Sequence, residues 1–169
     1  DGSLYRLEHN STAHDRSDDE YEYIIDTGTV TALLIDDKGY IWAGGSGISI
    51  MEPVSEWYDP YLASYSKGFG LVSSQINAME SDENGWIWIA TGDIFEGGLN
   101  VLDAGKNLGD VRDDRWATFT AQQNGVLGQK ISAIALDQGA VAWIGSNKGL
   151  ARLSYGTSPF DKTDDLWEH

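Results

Sequence analysis

The chain has no cysteine, three prolines, three histidines and few cations: 11 Lys and Arg stand against 27 Asp and Glu in 169 residues. Each shortage excludes something. Without Cys there is no disulfide, no thiolate nucleophile and no Cys-ligated zinc or iron–sulfur centre. A net charge of −16 repels phosphate backbones and anionic lipid surfaces, so nucleic acid is not an expected partner. No apolar run approaches the roughly 20 residues that span a bilayer, so direct membrane insertion is not expected either. No segment carries a sustained 3.6-residue stripe with caps, so helix is not expected. What remains is a globular composition, 41% apolar with seven Trp and eight Tyr. The acidity reads first as solubility, with cation or cationic-partner binding and adaptation to high salt as alternatives.

One motif occurs three times. A β-branched residue leads an Asp by six positions, and the Asp leads a Trp by six more: Val30, Asp36 and Trp42; Ile76, Asp82 and Trp88; Ile131, Asp137 and Trp143. The copies begin 46 and then 55 residues apart (30 to 76, 76 to 131). That period fits a four-stranded propeller blade with loop insertions. After each Trp a Gly opens an alternating strand, at Gly47, Gly98 and Gly149, and a fourth aromatic-bearing element follows, at Trp57–Tyr65, Trp116–Thr120 and Trp167. Matching connectors run from Gly70 to Ile76 and from Gly125 to Ile131. Short strands, Gly-rich turns and period-two alternation specify an all-β chain.

The reading is a β-propeller segment of about three and a half four-stranded blades. It has a half blade with a polar connector (1–29), blade one (30–75), blade two (76–130) and blade three (131–169). Rings close with four to eight blades. The expectation is therefore a segment of a longer polypeptide, or a chain that closes with copies of itself.

The pattern I-x-A-I-x-x-D…G-x-x-W-I-G-S-x-x-G-L-x-R-L, followed by W-x-x-F-T…N-G-V, resembles the two-component-regulator propeller repeat. Residues 131–153 match through Ile131, Asp137, Trp143, Gly145, Gly149, Leu150 and Arg152; residues 76–103 match with an insertion before Gly98; residues 30–51 match but carry Gly45 where the repeat has Thr or Ser. The resemblance covers roughly residues 20–153. It implies blades around a central axis, a periplasmic or extracellular setting and, in sensor proteins, ligand sensing, often of glycan fragments.

Trp42, Trp88 and Trp143 are expected to be structural core between blades, and Asp36, Asp82 and Asp137 to be turn residues. His9, His14 and His169 fall outside the repeat cores, and the five-residue spacing of the first two does not suit a metal pair. Asn10–Thr12 is a glycosylation sequon. Gly44–Gly47 lacks the Lys of a phosphate loop. No catalytic, cofactor or metal residue is assigned. The informative deviations are loops expected on one face: 91–98, longer than its counterparts, with 66–71 and 146–148. Phe69, Asp93, Phe95, Glu96, Asn147 and Lys148 form the expected recognition set, because exposed aromatics at loop tips are costly unless they bind or pack. A second insertion, 54–60, brings Trp57 and Tyr58 near an outer strand. The function expected is a non-enzymatic ligand-sensing or protein-interaction module, with a glycan the first ligand class to test. The alternatives are a structural subunit that completes a propeller with a partner or with itself and, third, a streptogramin-lyase-like enzyme.

Overall fold

A computed structural model describes residues 3–8, 16–26, 28–52, 61–123, 125–126 and 128–169. His9, His14, the sequon at 10–12 and the insertion at 54–60 lie outside them. β1 (Ser3–Glu8) and β2 (Glu20–Asp26) form a two-stranded sheet. β3 (Ala32–Ile35), β4 (Ile41–Gly45), β5 (Gly47–Met51) and β6 (Tyr61–Tyr65) form the first complete sheet. β7 (Ile76–Ser81), β8 (Ile87–Gly92), β9 (Gly97–Asp103) and β10 (Arg115–Phe119) form the second. β11 (Ile131–Asp137), β12 (Val141–Ser146), β13 (Gly149–Ser154) and β14 (Leu166–Glu168) form the third. All pairings are antiparallel between sequential strands. This is the meander of a propeller blade, and the all-β architecture of about three and a half blades follows. Trp42, Trp88 and Trp143 stand on β4, β8 and β12, in three separate sheets.

The Asp-to-Trp spacing has a local cause. Asp36 Oδ1 accepts from Lys38 N at 3.0 Å and Tyr40 N at 2.9 Å, which closes the hairpin turn. Its other oxygen, Oδ2, accepts from Trp42 Nε1 at 2.9 Å. Asp82 repeats this with Asn84 N, Trp86 N and Trp88 Nε1. One carboxylate thus fixes the turn and satisfies an indole N–H that would otherwise be buried unpaired. Blade three departs. Its glycine falls one position early, at Gly139, so Ala140 takes the left-handed conformation with φ 60°. Among the described residues Asp137 accepts only from Gln138 N.

Period-two alternation sorts each sheet's side chains between two seams. Trp42, Ile48 and Ile50 of blade one pack against Ile87, Ile89 and Leu102 of blade two. Trp88, Leu99 and Val101 of blade two pack against Ala142, Ile144 and Leu153 of blade three. Trp42 and Trp88 are 1% and 0% exposed. Trp143 corrects the expectation of a third core tryptophan: it is 37% exposed. Its register is the same, but its side of the sheet points away from blade two, and no described sheet lies over it.

A second, polar contact repeats at the same seams. Thr31 Oγ1 donates to Ile76 O at 2.5 Å, and Asn77 Nδ2 donates to Ile131 O at 2.7 Å. Each donor follows its own blade's lead residue and reaches the carbonyl of the next blade's lead residue. Inner strands β3, β7 and β11 are thereby tied side by side.

Candidate functional site

The propeller meander places the loops after each second strand at one end, together with the connectors between blades. The 93–96 turn is tight. Asp93 Oδ1 accepts from Phe95 N at 2.7 Å and Glu96 N at 3.1 Å, and Asp93 N donates to Glu96 O at 2.9 Å. Those backbone donors hold the Asp93 carboxyl below the usual carboxylate range. The turn lifts Ile94 and Phe95 into solvent, Phe95 being 77% exposed. In the neighbouring connector, Phe69 N donates to Ser66 O at 3.0 Å, and Phe69 is 58% exposed. The two loops are joined by an ion pair between Lys67 Nζ and Glu96 Oε2. Both members face water, so the pair orients the loops more than it stabilises them.

Asn147 and Lys148 sit one blade further along. Asn147 N donates to Lys130 O at 3.0 Å, and Lys148 N to Ser146 Oγ at 3.1 Å. Both side chains lie over Gly128, where a β-carbon would stand 2.2 Å from Asn147 Oδ1. The 128–130 connector closes the gap between the two groups: a β-carbon on Gly97 would stand 2.4 Å from Gln129 O. The six residues therefore lie along one row of loops. Phe69, Asp93, Phe95 and Glu96 belong to the two ion-paired loops. Asn147 and Lys148 make no hydrogen bond or ion pair to those loops among the described residues.

The same end holds a feature not read from the sequence, a concavity of about 390 Å³ lined by Gly28, Thr29, Thr31, Gly45, Ser46 and Gln75. Its signal was the departure at Gly45. A β-carbon there would stand 2.0 Å from Thr29 O, so glycine lets the entering chain press against the loop. The described residues hold no group of three or more His, Asp or Glu able to bind a metal.

Fold and loop row define a propeller segment with a built end face. The family model of the two component regulator propeller matches residues 70–93, which span the β6–β7 connector and the first hairpin of blade two. The resemblance read from the repeat is thus borne out. Among solved structures, the chain is similar to the extracellular domain of the hybrid two component system BT3049 from B. thetaiotaomicron: TM-score 0.57, 24% identity, covering 73% of this chain and 15% of that one. It is also similar to PorZ, a surface component of the type-IX secretion system of Porphyromonas gingivalis: TM-score 0.68, 20% identity, covering 88% of this chain and 22% of that one. The chain thus spans less than a quarter of either structure, and at these identities the likeness is one of fold. No curated protein matches the chain.

Proposed function

We propose that this chain is a non-catalytic recognition segment of an extracytoplasmic β-propeller, and that its ligand or partner contacts the loop row at residues 66–71, 93–96 and 146–148. The observation that carries this reading is Phe95, an aromatic ring held out in water on a turn fixed by three backbone-directed hydrogen bonds. A rigid turn presents such a ring with little ordering cost on binding. Phe69 stands on the ion-paired neighbouring loop, and the concavity beside Gly45 opens at the same end. Apolar rings beside carboxylate, amide and hydroxyl groups suit a glycan, whose ring faces are apolar and whose edges hydrogen-bond. The likeness to the extracellular domain of a hybrid two component system and to a bacterial surface component favours the setting outside the cytoplasm. Fold likeness alone does not assign a ligand.

The test is titration of the chain with a panel of neutral and acidic oligosaccharides, followed by amide chemical shifts. Binding should move the 66–71 and 93–96 resonances and should weaken at least tenfold in Phe95→Ala. A panel that leaves those resonances in place removes the glycan. Binding that persists undiminished in both Phe95→Ala and Phe69→Ala removes the loop row.

A further inference from the structure

The acidity of the chain is divided unequally between the two ends of its blades. In an antiparallel meander the turns after each first strand and the loops after each third strand lie at one end. The loops after each second strand and the connectors between blades lie at the other. Among the described residues of the first end, 36–40, 82–86, 103–114, 137–141 and 155–165 carry twelve Asp and Glu against four Lys and Arg, a net −8. At the loop-row end, residues 28–31, 45–47, 66–75, 92–97, 120–123, 128–130 and 146–149 carry two acids against three lysines, a net +1. We infer that the ligand of the loop row is anionic, a glycan bearing carboxylate or sulfate groups that Lys130 and Lys148 meet. This rests on the reading of that row as the contact surface.

The two acids at this end are engaged within the protein. Glu96 is ion-paired with Lys67. Asp93 Oδ1 accepts from the backbone N–H groups of Phe95 and Glu96, and Lys130 adds only a weak pull behind them. Lys130 and Lys148, in contrast, form no ion pair among the described residues. Asn147 N donates to Lys130 O at 3.0 Å, so the two lysines stand on touching segments. Lys148 is exposed. The charge this end leaves for a ligand is therefore positive, on a chain whose net charge is −16.

Distance keeps the far acids from cancelling it. β8 and β9 run six and seven residues, which sets the two ends roughly 20 Å apart at about 3.3 Å per residue. The screening length at physiological ionic strength is about 8 Å. A group seated on the row thus meets the charges of the row and not those of the far turns. Phe69 and Phe95 offer apolar faces to sugar rings, and the ammonium groups select those rings that carry negative charge.

The test uses matched pairs: oligogalacturonate with its methyl ester, and a sulfated galactan oligosaccharide with its desulfated form. Calorimetry reads affinity, and amide chemical shifts read the place of binding. At least one anionic member should bind about tenfold more tightly than its neutral counterpart. The pair that responds tells carboxylate from sulfate. Lys130→Gln and Lys148→Gln should each weaken that binding by about threefold to fivefold, and Lys38→Gln, on a far hairpin turn, by less than about twofold. A neutral member that binds as tightly as its anionic partner, yet weakens in Phe95→Ala, overturns the charge inference and leaves the loop row as a glycan surface. Anionic binding that both loop-row lysine variants leave unchanged also overturns it. So does an equal loss in Lys38→Gln, since net charge and not the row would then be responsible. No binding by any of the four removes the glycan and this inference together.

Discussion

Gly70 lies directly under the ring of Trp116: a β-carbon at Gly70 would stand 2.3 Å from the indole. The glycine belongs to the connector leaving blade one, and the tryptophan to the outer strand of blade two. Gly125 meets Trp167 in the same way one blade later, at 3.1 Å. The connector glycine therefore exists to let the next blade's outer aromatic reach back, where Trp116 also meets the Tyr65 ring edge-on at 5.4 Å. Gly70 has φ 99°. Gly70→Ala thus adds left-handed strain of about 1–2 kcal/mol to an overpacking cost of about 1–3 kcal/mol. Urea denaturation should show a loss of about 3 kcal/mol, and a loss below about 1 kcal/mol would contradict the packing.

Asp82 and Asp137 share a place in the repeat but not a role. Asp82→Ala removes three acceptor contacts and strands the Trp88 indole N–H in a fully buried site. It should cost about 3 kcal/mol. Asp137→Ala removes only the bond to Gln138 N on an exposed turn and should cost less than about 1 kcal/mol. Paired denaturation curves check the contrast, and equal losses would refute it.

Ala140 is the one non-glycine residue with positive φ among those described. Glycine occupies the corresponding position in the other two hairpins, at Gly39 and Gly85. Ala140→Gly should therefore stabilise the chain by about 0.5–1 kcal/mol, relieved strain exceeding the added chain entropy. A lower melting temperature in that variant would show that the turn is unstrained.

Asp114 and Asp165 each precede an outer tryptophan, Trp116 and Trp167, by two residues. Asp165 Oδ1 is buried without a hydrogen-bond partner, and the Asp114 carboxylate is buried beside the Tyr65 hydroxyl. Burial raises both; Asp165 reaches about 6, with the charge of Asp164 adding to the rise and Lys162 opposing it. A carboxyl raised in the folded state binds more protons there than in the unfolded chain. Its penalty is therefore full above pH 6 and fades as the pH falls toward 4. Asp165→Asn should stabilise at pH 8 by on the order of 1 kcal/mol, after allowance for solvent screening. The difference from wild type should vanish near pH 4. A difference that is independent of pH would rule out titration as its cause.

Much of this architecture was legible because the repeat is made of residues with fixed local jobs. The aspartate, the turn glycine and the second-strand tryptophan are coupled within one hairpin, so their spacing survives into the fold. What was not legible depends on neighbours. Trp143 has the same local context as Trp88, and only the sheet over it decides whether it is buried. The seam donors were hidden for a different reason: Thr31 and Asn77 share a hydrogen-bonding capacity, not a residue type, at a position that reads as variable. The row of loops was legible as to which end it occupies, from strand order alone. The Lys67–Glu96 pair was not, since two flexible chains from different blades meet only once the connectors are placed.

Because each sheet touches only the sheets beside it, the array has no shared centre that melts at once. Among the described residues, blade two is clasped on both flanks, whereas blade three is held on one. Cohesion in such a stack is a sum of neighbour terms, so opening should begin at a flank and travel inward like the fraying of a rope. The amides of β8 and β9 should then be the last to exchange with solvent, and the aromatic-tipped turn between them rides on the most persistent part of the molecule.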